Sequence, residues 1–534
     1  MRDADECDVA ILGGGLAGLT LAIQLKRRFE AIDVRVVERR RHPVAEAAFK
    51  VGESTVEIGA HYLAETLGLR AHLDAEHLRK FGFRFFFSDR CEVLDACTEL
   101  GVDDYLAMPS WQIDRGRLEN FLGEHARALG VAFEDGASVR GFELSETDAP
   151  HRIAWRREGT DQALHARWLV DASGRAGLVR RQRGLDVPNA HRANAAWFRV
   201  DGWIGVDEWC ADGDWRGRCS QAHRWRSTNH LVGPGYWVWM IPLSSGAHSI
   251  GIVADAGMHP LESMNSLDKA LDWLGVHQPR IARALEPVRG RVRDFLFLRD
   301  YSYGCSQVFS GARWALTGEA GLFLDPFYSP GTDFIAIANT YICDLVARDR
   351  EGEDIAPWAA LWQQMYFSFY ESMLALYQDQ YPLFGNPRVM PAKVIWDYTY
   401  YWGVLCPLVL GGRLTELSTL SRLRPVLARA RELNAAMQAT LRAWHESDTA
   451  GAGDGAPIML NQARLDWFVA LNRRMAEAVD AATFVARIDQ NLATLERLAD
   501  EIRAEAGLGP APRAGAPALL PPAWYGRGSA TAAA

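Results

Sequence analysis

The chain has 534 residues, of which 49% are hydrophobic, so it is long enough for several domain-sized units with large apolar cores. Its formal net charge of -9 argues against a nucleic-acid partner, because no basic surplus is available to neutralise phosphates. Eight cysteines occur without a C-x-x-C pair, so neither a zinc site nor a disulfide framework is predicted.

The first predicted element is a strand, turn and helix at the start of the chain. The short apolar run at residues 8–12 is typical of a buried parallel strand, and Gly13, Gly15 and Gly18 follow it as G-x-G-x-x-G. A second buried strand ends at Glu38. Such glycines permit a tight turn, close approach of the backbone to a pyrophosphate and close helix packing, and the acid accepts hydrogen bonds from a ribose. The pattern predicts a dinucleotide site.

The next stretch combines a glycine loop with an aromatic strand. Gly52–Thr55 (GEST) forms a loop before a helical pattern. Leu78–Phe87 alternates as a strand does, which places Lys80, Gly82 and Arg84 on one face. Because a lysine on an aromatic strand usually faces solvent, a function for Lys80 needs independent support.

Four further segments lie before residue 350. Gln112–Arg115 opens an amphipathic helix, and Trp168–Gly174 is a buried strand that ends in a turn of small residues. Trp237–Pro242 alternates within a region of strands, and Trp314–Asp325 is a strand leading into a glycine-bounded turn. A helix follows that turn, so its N-terminus is a second place where backbone amides face a cofactor or an anion.

Past residue 350 the periodicity is helical. Residues 394–410 are apolar but contain Asp397, Gly403 and Pro407 and fall short of the ~20 residues of a membrane span. They are interpreted as a buried segment. From residue 507 the chain is rich in proline and alanine and is predicted to be disordered. The acidic start MRDADECD is unlike a signal peptide, so a cytoplasmic location is expected.

Together these motifs resemble the flavin-dependent halogenases, tryptophan-halogenase-like members of the FAD oxygenases, and the phenol and pyrrole branch in particular. The glycine fingerprint, the Asp171–Gly174 turn and the Gly318–Gly331 segment are shared by the whole group and imply FAD. Three matches are narrower. Gly52–Thr55 resembles the segment beside the flavin, Lys80 lies in a K-x-G-x-x-F setting, and Trp237–Pro242 fits W-x-W-x-I-P. The resemblance covers roughly residues 8 to 345.

The resemblance assigns a role to each matching position. FAD binding is implied for Gly13, Gly15, Leu16, Ala17, Gly18, Glu38, Arg39, Gly52, Glu53, Ser54, Arg115, Asp171, Gly318, Glu319, Asp325, Gly331 and Thr332. A substrate tunnel is implied for Trp237, Trp239, Ile241, Pro242, Tyr328, Ser329 and Asp333, and catalysis is implied for Lys80. The tryptophans of the signature are taken to separate flavin from substrate.

In the family, reduced FAD and O₂ oxidise a halide to hypohalous acid. The lysine then holds the halogen as a haloamine or donates a hydrogen bond to the acid. Nucleophilic capture needs a neutral amine, which burial among Phe81, Phe83 and Phe85 favours.

Three positions depart from the family pattern. Glu319 stands where the family usually has aspartate, and one extra methylene still permits contact with the ribityl chain. Tyr328 stands near the position of the glutamate found in halogenases of free tryptophan. Pro330 lacks a backbone N–H close to the expected halide site. The first substitution affects the cofactor, the second the substrate and the third the halide.

The predicted fold class is α/β, with a Rossmann-like FAD-binding domain interleaved with an antiparallel substrate-binding sheet and followed by a helical region. The FAD-binding domain is placed at 1–84, 109–185 and 291–349, and the substrate-binding sheet at 85–108 and 186–290. The helical C-terminal region is placed at 350–506 and the disordered tail at 507–534.

The predicted function is installation of chlorine or bromine on a phenol- or pyrrole-like aromatic in secondary-metabolite and antibiotic biosynthesis. No second glycine fingerprint is present for a nicotinamide cofactor, so a separate flavin reductase is expected to supply FADH₂. Two alternatives are an FAD-dependent aromatic hydroxylase (a monooxygenase) and an FAD-binding scaffold without turnover. The sequence leaves open the exact substrate, its attachment to a carrier protein, the preferred halide and the oligomeric state.

Overall fold

The structure is a computed structural model that describes residues 6–47, 51–87, 93–219, 221, 223–448, 458–510 and 517–525. The chain folds into two compact units, each assembled from three separate segments. The first unit lies within residues 1–77, 113–189 and 302–370, and the second lies within residues 78–112, 190–301 and 371–534.

The strands are β1 (Glu6–Leu12), β2 (Val34–Glu38), β3 (Leu78–Arg79), β4 (Phe83–Phe87), β5 (Thr98–Gly101), β6 (Trp111–Gln112), β7 (Ala132–Asp135), β8 (Ala137–Glu143), β9 (His151–Arg157), β10 (Thr160–Asp171), β11 (Asp186–Pro188), β12 (Ala193–Asp201), β13 (Thr228–Gly233), β14 (Tyr236–Pro242), β15 (Ala247–Asp255), β16 (Val292–Leu298), β17 (Tyr303–Cys305), β18 (Trp314–Leu316) and β19 (Met459–Asn461).

The α-helices are α1 (Leu16–Arg28), α2 (Glu57–His61), α3 (Arg70–Glu76), α4 (Arg115–Ala128), α5 (Leu178–Arg183), α6 (Gly213–Gly217), α7 (Leu267–His277), α8 (Pro279–Leu285), α9 (Gly331–Arg350), α10 (Ala356–Leu374), α11 (Val389–Tyr400), α12 (Cys406–Leu410), α13 (Leu417–Ser447), α14 (Asp466–Arg474) and α15 (Ala481–Glu505). A π-helical turn follows α2 at Tyr62–Thr66, and another joins α11 to α12 at Tyr401–Leu405.

The first unit is built on a seven-stranded sheet in the order β7-β2-β1-β10-β9-β8, with β18 also paired to β10. Pairing is parallel from β7 through β2, β1 and β10 to β18. In register, Leu12 at the end of β1 lies opposite Asp171 of β10, which lies opposite Leu316 of β18. The turns after these three strands therefore emerge at one edge, where open parallel sheets bind their ligands.

The second unit is built on an eight-stranded sheet in the order β16-β12-β15-β14-β13-β4-β5-β19. Its pairing is antiparallel except between β13 and β4 and between β5 and β19. Buried side chains on one face of this sheet pack with those of α7 and α8, for example Phe198 and Ile250 with Leu274 and Ile281. The predicted fold class of an α/β unit interleaved with a mainly antiparallel sheet is confirmed.

Several predicted domain limits are wrong. Residues 109–112 lie in the second unit, and residues 186–189 and 350–370 lie in the first. Residues 78–84 belong to the second unit, because β3 pairs with β6 and β4 pairs with β13 in that unit. Residues 291–301 also belong to it, because β16 pairs along β12. Strand pairing places residues 78–84 and 291–301 with the sheet to which they are hydrogen-bonded.

The continuous strand predicted over Leu78–Phe87 is interrupted. β3 ends at Arg79 and β4 begins at Phe83, and Gly82 between them has a φ of 67°, which is left-handed. Alternation of aromatic residues on both sides of Gly82 hides this break in the sequence. Lys80 therefore lies in a turn and not on a strand face.

The predicted helical character past residue 350 is confirmed by α10 to α15. These helices do not form a unit of their own, because residues up to 370 fall in the first unit and residues 371–534 in the second. The predicted buried segment is confirmed, since α11 and the turn after it are buried throughout. No helix in the described part of the chain is long and apolar enough to cross a membrane.

Part of the predicted disordered tail is ordered. Leu520 and Trp524 are buried, the Trp467 indole donates a hydrogen bond to the Leu519 carbonyl, and Glu501 accepts one from the Leu519 N–H. Disorder is therefore wrong for residues 517–525. The prediction rested on the proline- and alanine-rich composition and overlooked Leu519, Leu520 and Trp524, which are buried. Leu519 is hydrogen-bonded to residues of α14 and α15. Residues 511–516 and 526–534 lie outside the described residues.

Candidate active site

The glycine turn of the first unit has the geometry that a pyrophosphate needs. Gly13 has a φ of 115°, and a Cβ there would lie 2.3 Å from the Ala172 carbonyl oxygen. A Cβ on Gly18 would lie 1.9 Å from the Gly13 carbonyl oxygen, so α1 packs directly on the turn. A Cβ on Gly15 would meet no protein atom within 4 Å. The backbone at Gly15 is thus open to a ligand, while the other two glycines are required by packing.

The helix after this turn offers its N–H groups to a ligand. Gly15 is the N-cap of α1 and provides no side-chain cap, and Leu16 and Ala17 open the helix as buried residues. Unpaired N–H groups and the positive end of the helix dipole favour phosphate.

Glu38 is fixed beside the glycine turn. Its Oε2 accepts a hydrogen bond from the Gly14 N–H at 2.7 Å, and its Oε1 accepts one from the Arg40 N–H at 2.7 Å. The half-buried carboxylate therefore has a defined position at the end of β2, while Arg39 next to it is exposed. This is the place of a ribose-binding acid in a dinucleotide fold.

Arg115 joins the Gly52–Ser54 segment to α4. Its Nη1 donates a hydrogen bond to the Val51 carbonyl at 2.6 Å, and its Nη2 forms an ion pair with Glu119 at 2.9 Å. Gly52 has a φ of 84°, and a Cβ there would lie 2.6 Å from Nη1 of Arg115. Glu53 and Ser54, the two residues that follow, are buried. The structure thus brings these four predicted FAD-binding residues together.

The carboxylate of Asp171 holds the turn after β10. Its Oδ1 accepts a hydrogen bond from the Ser173 N–H at 2.9 Å, and its Oδ2 accepts one from the Val179 N–H at 2.7 Å. Burial raises the pKa of Asp171, and these hydrogen bonds oppose the rise. Asp325 acts similarly, accepting a hydrogen bond from the Phe327 N–H at 2.9 Å. Asp171 and Asp325 are both predicted to bind FAD. In the structure their carboxylates accept hydrogen bonds from backbone N–H groups and so fix the conformation of the turns.

Gly318 and Glu319 lie at the turn after β18. Gly318 has a φ of 60°, and a Cβ there would lie 3.0 Å from the Ala17 Cβ, so this turn packs against the start of α1. The Glu319 side chain is 34% exposed, and its Oε2 lies 4.0 Å from Nη1 of Arg175. Burial raises the pKa of Glu319, while Arg175, Arg115 and Arg180 act to lower it. The Glu319 side chain is therefore only partly covered by protein atoms.

The start of α9 is also a helix N-terminus without a side-chain cap. Pro330 is the N-cap and supplies no side-chain hydrogen bond, and a Cβ on Gly331 would meet no protein atom within 4 Å. Pro330 precedes the first helical residue, so the N–H groups of Gly331 and Thr332 remain at the helix start. The missing N–H of Pro330 therefore removes a donor just outside the helix.

Tyr328, Ser329 and Asp333 surround that helix start. Tyr328 is buried against Phe327, and Ser329 has a φ of 53°. Asp333 is fully buried, and its Oδ1 accepts a hydrogen bond from the Gly59 N–H of α2 at 2.8 Å. Asp333 is thus engaged by a neighbouring helix.

The residues of the first unit fit FAD. Gly15 and Gly331 are both open positions at uncapped helix starts, and the turns after β1, β10 and β18 meet at one sheet edge. A Cβ at either glycine would project into open space, which is where an extended dinucleotide needs backbone contact.

Lys80 of the second unit is buried in an aromatic setting. The side chain is 4% exposed, and its Nζ lies 3.4 Å from the centroid of the Phe83 ring. Phe83 lies 5.2 Å from His230 between ring centroids, and His230 lies 5.1 Å from Trp237. A continuous row of rings therefore connects Lys80 to the W-x-W-x-I-P strand.

That strand is β14, and its tryptophans are held by hydrogen bonds. The Trp239 indole donates to Oγ of Ser249 at 3.1 Å, and the Trp237 indole donates to the hydroxyl of Tyr381 at 2.9 Å. Ile241 and Pro242 complete the strand and are buried with the tryptophans. Sequence reasoning missed Tyr381, since 144 residues separate it from Trp237 and no local signal connects them.

The comparisons with known proteins agree with this site. Residues 6–251 match the family described as FAD binding domain. With the glycine turn and its acid, the match defines the class, and the chain is an FAD-dependent oxidoreductase.

The relatives identify the branch of that class. The flavin-dependent halogenase chlA of Dictyostelium discoideum is 26% identical over 440 residues, which are 76% of this chain and 71% of that relative. The 1H-pyrrole-2-carbonyl-(peptidyl-carrier protein) brominase of Pseudoalteromonas luteoviolacea is 25% identical over 364 residues, covering 66% of this chain and 80% of the relative. The chain is related to the flavin-dependent halogenases, and the resemblance found in its motifs is confirmed.

Solved structures show the same fold. Halogenase PltM in complex with phloroglucinol and FAD has a TM-score of 0.65 at 16% identity, over 92% of this chain and 96% of that one. The flavin-dependent halogenase CmlS has a TM-score of 0.57 at 20% identity, over 83% and 78% of the two chains.

Proposed function

We propose that this protein uses reduced FAD, O₂ and chloride or bromide to halogenate an electron-rich aromatic in secondary metabolism. The observation that carries the proposal is the buried Lys80 against Phe83, in a row of rings that reaches the signature tryptophan Trp237. A buried amine held beside aromatic rings is uncommon, and an amine in a fixed position is the group that halogen delivery requires.

FAD is held by the backbone of the first unit in this proposal. The α1 start at Gly15 takes the pyrophosphate, Glu38 takes the ribose hydroxyls, and Glu319 takes the ribityl chain. When bound and reduced, the flavin supplies the electrons with which O₂ oxidises the halide. The N–H groups at Gly331 and Thr332 are available for an anion at the start of α9.

Lys80 acts as the halogen carrier. The face of an aromatic ring attracts an ammonium group, so the 3.4 Å contact with Phe83 suits a lysine that donates a hydrogen bond to hypohalous acid. Nucleophilic capture would instead need a neutral amine. The contact therefore favours the hydrogen-bonding role over the haloamine role.

The proposed substrates are phenols and pyrroles. Electrophilic halogenation builds positive charge on the ring, which an ionised phenol offsets by itself and which an electron-rich pyrrole tolerates. Tyr328 provides no carboxylate, and Asp333 is engaged by Gly59. One relative acts on a pyrrole attached to a carrier protein, and one structural neighbour binds phloroglucinol, which is a phenol.

Two partners and a location belong to this proposal. A separate flavin reductase supplies FADH₂, because the sequence shows a single glycine fingerprint. A carrier protein presents the substrate if that substrate is tethered. A cytoplasmic location stays a prediction.

An FAD-dependent hydroxylase is the second candidate, and Pro330 favours it. This residue lacks a backbone N–H next to the start of α9, where the family pattern expects the halide. Weak halide binding would leave the activated oxygen to attack the ring directly.

One experiment separates the two candidates. The purified protein is supplied with a flavin reductase, NADH, FAD, chloride or bromide and a panel of phenols and pyrroles, and products are read by mass spectrometry. The proposal expects one halogen in place of one hydrogen, and only slow NADH or NADPH oxidation without the reductase. A product with one added oxygen, or rapid substrate-stimulated NADPH consumption by the protein alone, would establish the hydroxylase.

A further inference from the structure

Lys80 lies in a three-residue turn whose backbone is held by another segment of the second unit. The Lys80 N–H donates to the Ser110 carbonyl at 2.8 Å, and the Phe81 N–H donates to the Arg226 carbonyl at 3.0 Å. The Gly82 carbonyl accepts from the Thr228 N–H at 3.1 Å. The backbone of the Lys80 turn is therefore held by residues 226–228 as well as by Ser110.

A buried arginine lies close in sequence to each of these two segments, the Lys80 turn and residues 226–228. Arg84 lies in β4 just after the Lys80 turn, and Arg224 opens the short turn that leads to residues 226–228. Asn229 donates a hydrogen bond to the Arg224 carbonyl at 3.0 Å, which fixes that turn to β13. Both arginine side chains are almost completely buried, at 0% and 1% exposure.

One buried carboxylate joins the two arginines. Glu99 of β5 is 0% exposed and pairs with Nη1 of Arg84, and its Oε1 accepts from Nε of Arg224 at 2.8 Å. Two backbone carbonyls accept further hydrogen bonds from the arginines. The Val102 carbonyl accepts from Arg84, and the Trp215 carbonyl accepts from Arg224. Asp207 lies 3.6 Å from Arg224 and adds a second, partly exposed carboxylate.

A buried ion-pair network of this kind contributes little net stability, because removing its charges from water costs much of the free energy that their attraction provides. Apolar side chains of similar volume often stabilise a core as well or better, while removal of one partner leaves an uncompensated charge. The network spans β4, β5 and the turn before β13, which are the elements around the Lys80 turn. Position is therefore a better explanation of this network than stability.

We infer that Glu99 is a positioning residue for Lys80, holding the two segments that fix the Lys80 turn in mutual register. This inference rests on the proposed function, because it requires Lys80 to deliver the halogen. Glu99 acts through Arg84 and Arg224 and has no part in the chemistry itself.

The test compares Glu99→Gln with a control that removes a buried carboxylate elsewhere in the same unit. Asp397 pairs with the fully buried Lys393 at 2.8 Å, so Asp397→Asn also removes the carboxylate of a buried ion pair. We expect Glu99→Gln to lower kcat for halogenation at least about tenfold with KM unchanged, which is a loss of transition-state positioning. Hydrogen peroxide released per reduced flavin should rise, and Asp397→Asn should change neither quantity.

A double variant separates position from stability. Arg84→Met in the Glu99→Gln background removes one arginine charge together with the carboxylate, so thermal stability should recover. The inference expects kcat to stay low in this double variant, because the two segments are still not joined. Recovery of kcat along with stability, or equal losses in Glu99→Gln and Asp397→Asn, would overturn it. Absence of halogenation in the wild-type protein would instead reject the proposed function.

Discussion

The glycine turn of the first unit and the Lys80 turn of the second are built by different means. The first turn depends on its backbone and on the absence of side chains. Gly13 and Gly18 allow close packing of the turn, and Gly15 leaves the backbone accessible to a ligand. At the second, buried side chains fix the backbone, with Glu99 between Arg84 and Arg224. A cofactor site built from glycines fails when atoms are added, whereas a site built from buried charges fails when atoms are removed.

The largest effect is expected at Lys80. Lys80→Ala should lower halogenation at least about 100-fold while FAD binding persists, because the halogen loses its carrier. Lys80→Arg should fail as well, since a planar guanidinium differs in shape and donor geometry from the compact ammonium group. Rates come from product formation and FAD affinity from a flavin titration. Lys393→Ala removes another buried lysine of the same unit and should keep turnover at temperatures where it is folded. Substantial halogenation by either Lys80 variant would remove Lys80 from the mechanism.

The glycine turn gives the next effect, and its two halves should respond differently. Gly18→Ala places a Cβ 1.9 Å from a backbone oxygen and should cost about 3 kcal/mol of folding free energy. Gly15→Ala meets no protein atom within 4 Å, so its stability should change by less than about 0.5 kcal/mol. FAD affinity should nevertheless fall at least about tenfold. Denaturant unfolding measures the folding free energy, and flavin titration measures the FAD affinity. Equal losses of stability in the two variants, or an unchanged FAD affinity in Gly15→Ala, would refute an open ligand position at Gly15.

A smaller effect is expected at Tyr381. Tyr381→Phe removes the hydroxyl that accepts from the Trp237 indole and should cost about 1 kcal/mol of stability. Because the indole is then less firmly held, more hydrogen peroxide should be released per halogenated product. Tyr301→Phe is the control, since the Tyr301 hydroxyl lies 3.4 Å from that of Tyr381. An unchanged ratio of peroxide to product in Tyr381→Phe would show that Trp237 needs no such anchor.

The smallest effect is expected at Asp333. Asp333→Asn keeps an oxygen that can accept from the Gly59 N–H, so stability and kcat should stay within about twofold of the wild type. The preference for phenols and pyrroles over free tryptophan should also stay. Rates on the three substrate classes check this. Preferred turnover of tryptophan, lost in Asp333→Asn, would make Asp333 a catalytic base and contradict the proposed substrate class.

The sequence predicts the glycine turn well because every determinant is local. Gly13, Gly15, Gly18 and Glu38 lie within one strand–helix–strand segment, and each position has a stereochemical reason. Resemblance added Lys80 and the W-x-W-x-I-P strand. The resemblance did not predict which groups the matching carboxylates would contact. Asp171 and Asp325 match FAD-binding positions, yet their oxygens accept backbone N–H groups in the turns.

The Lys80 turn was harder to predict because its determinants are distant. Gly82 is the one local signal for the break between β3 and β4, and aromatic alternation obscured it. Glu99 and Arg224 are 125 residues apart, and Trp237 and Tyr381 are 144 apart. Pairings over such distances depend on sheet order, which a single sequence does not reveal.

The three-segment composition of the second unit matters for recombination between related enzymes. Lys80, Trp237 and Tyr381 lie in three different segments of that unit, at residues 78–112, 190–301 and 371–534. In a chimaera, a single crossover within residues 113–189 therefore separates Lys80 from residues 226–228, and one within residues 302–370 separates Trp237 from Tyr381. Transfer of substrate preference from one relative to another requires all three segments to be exchanged as a set.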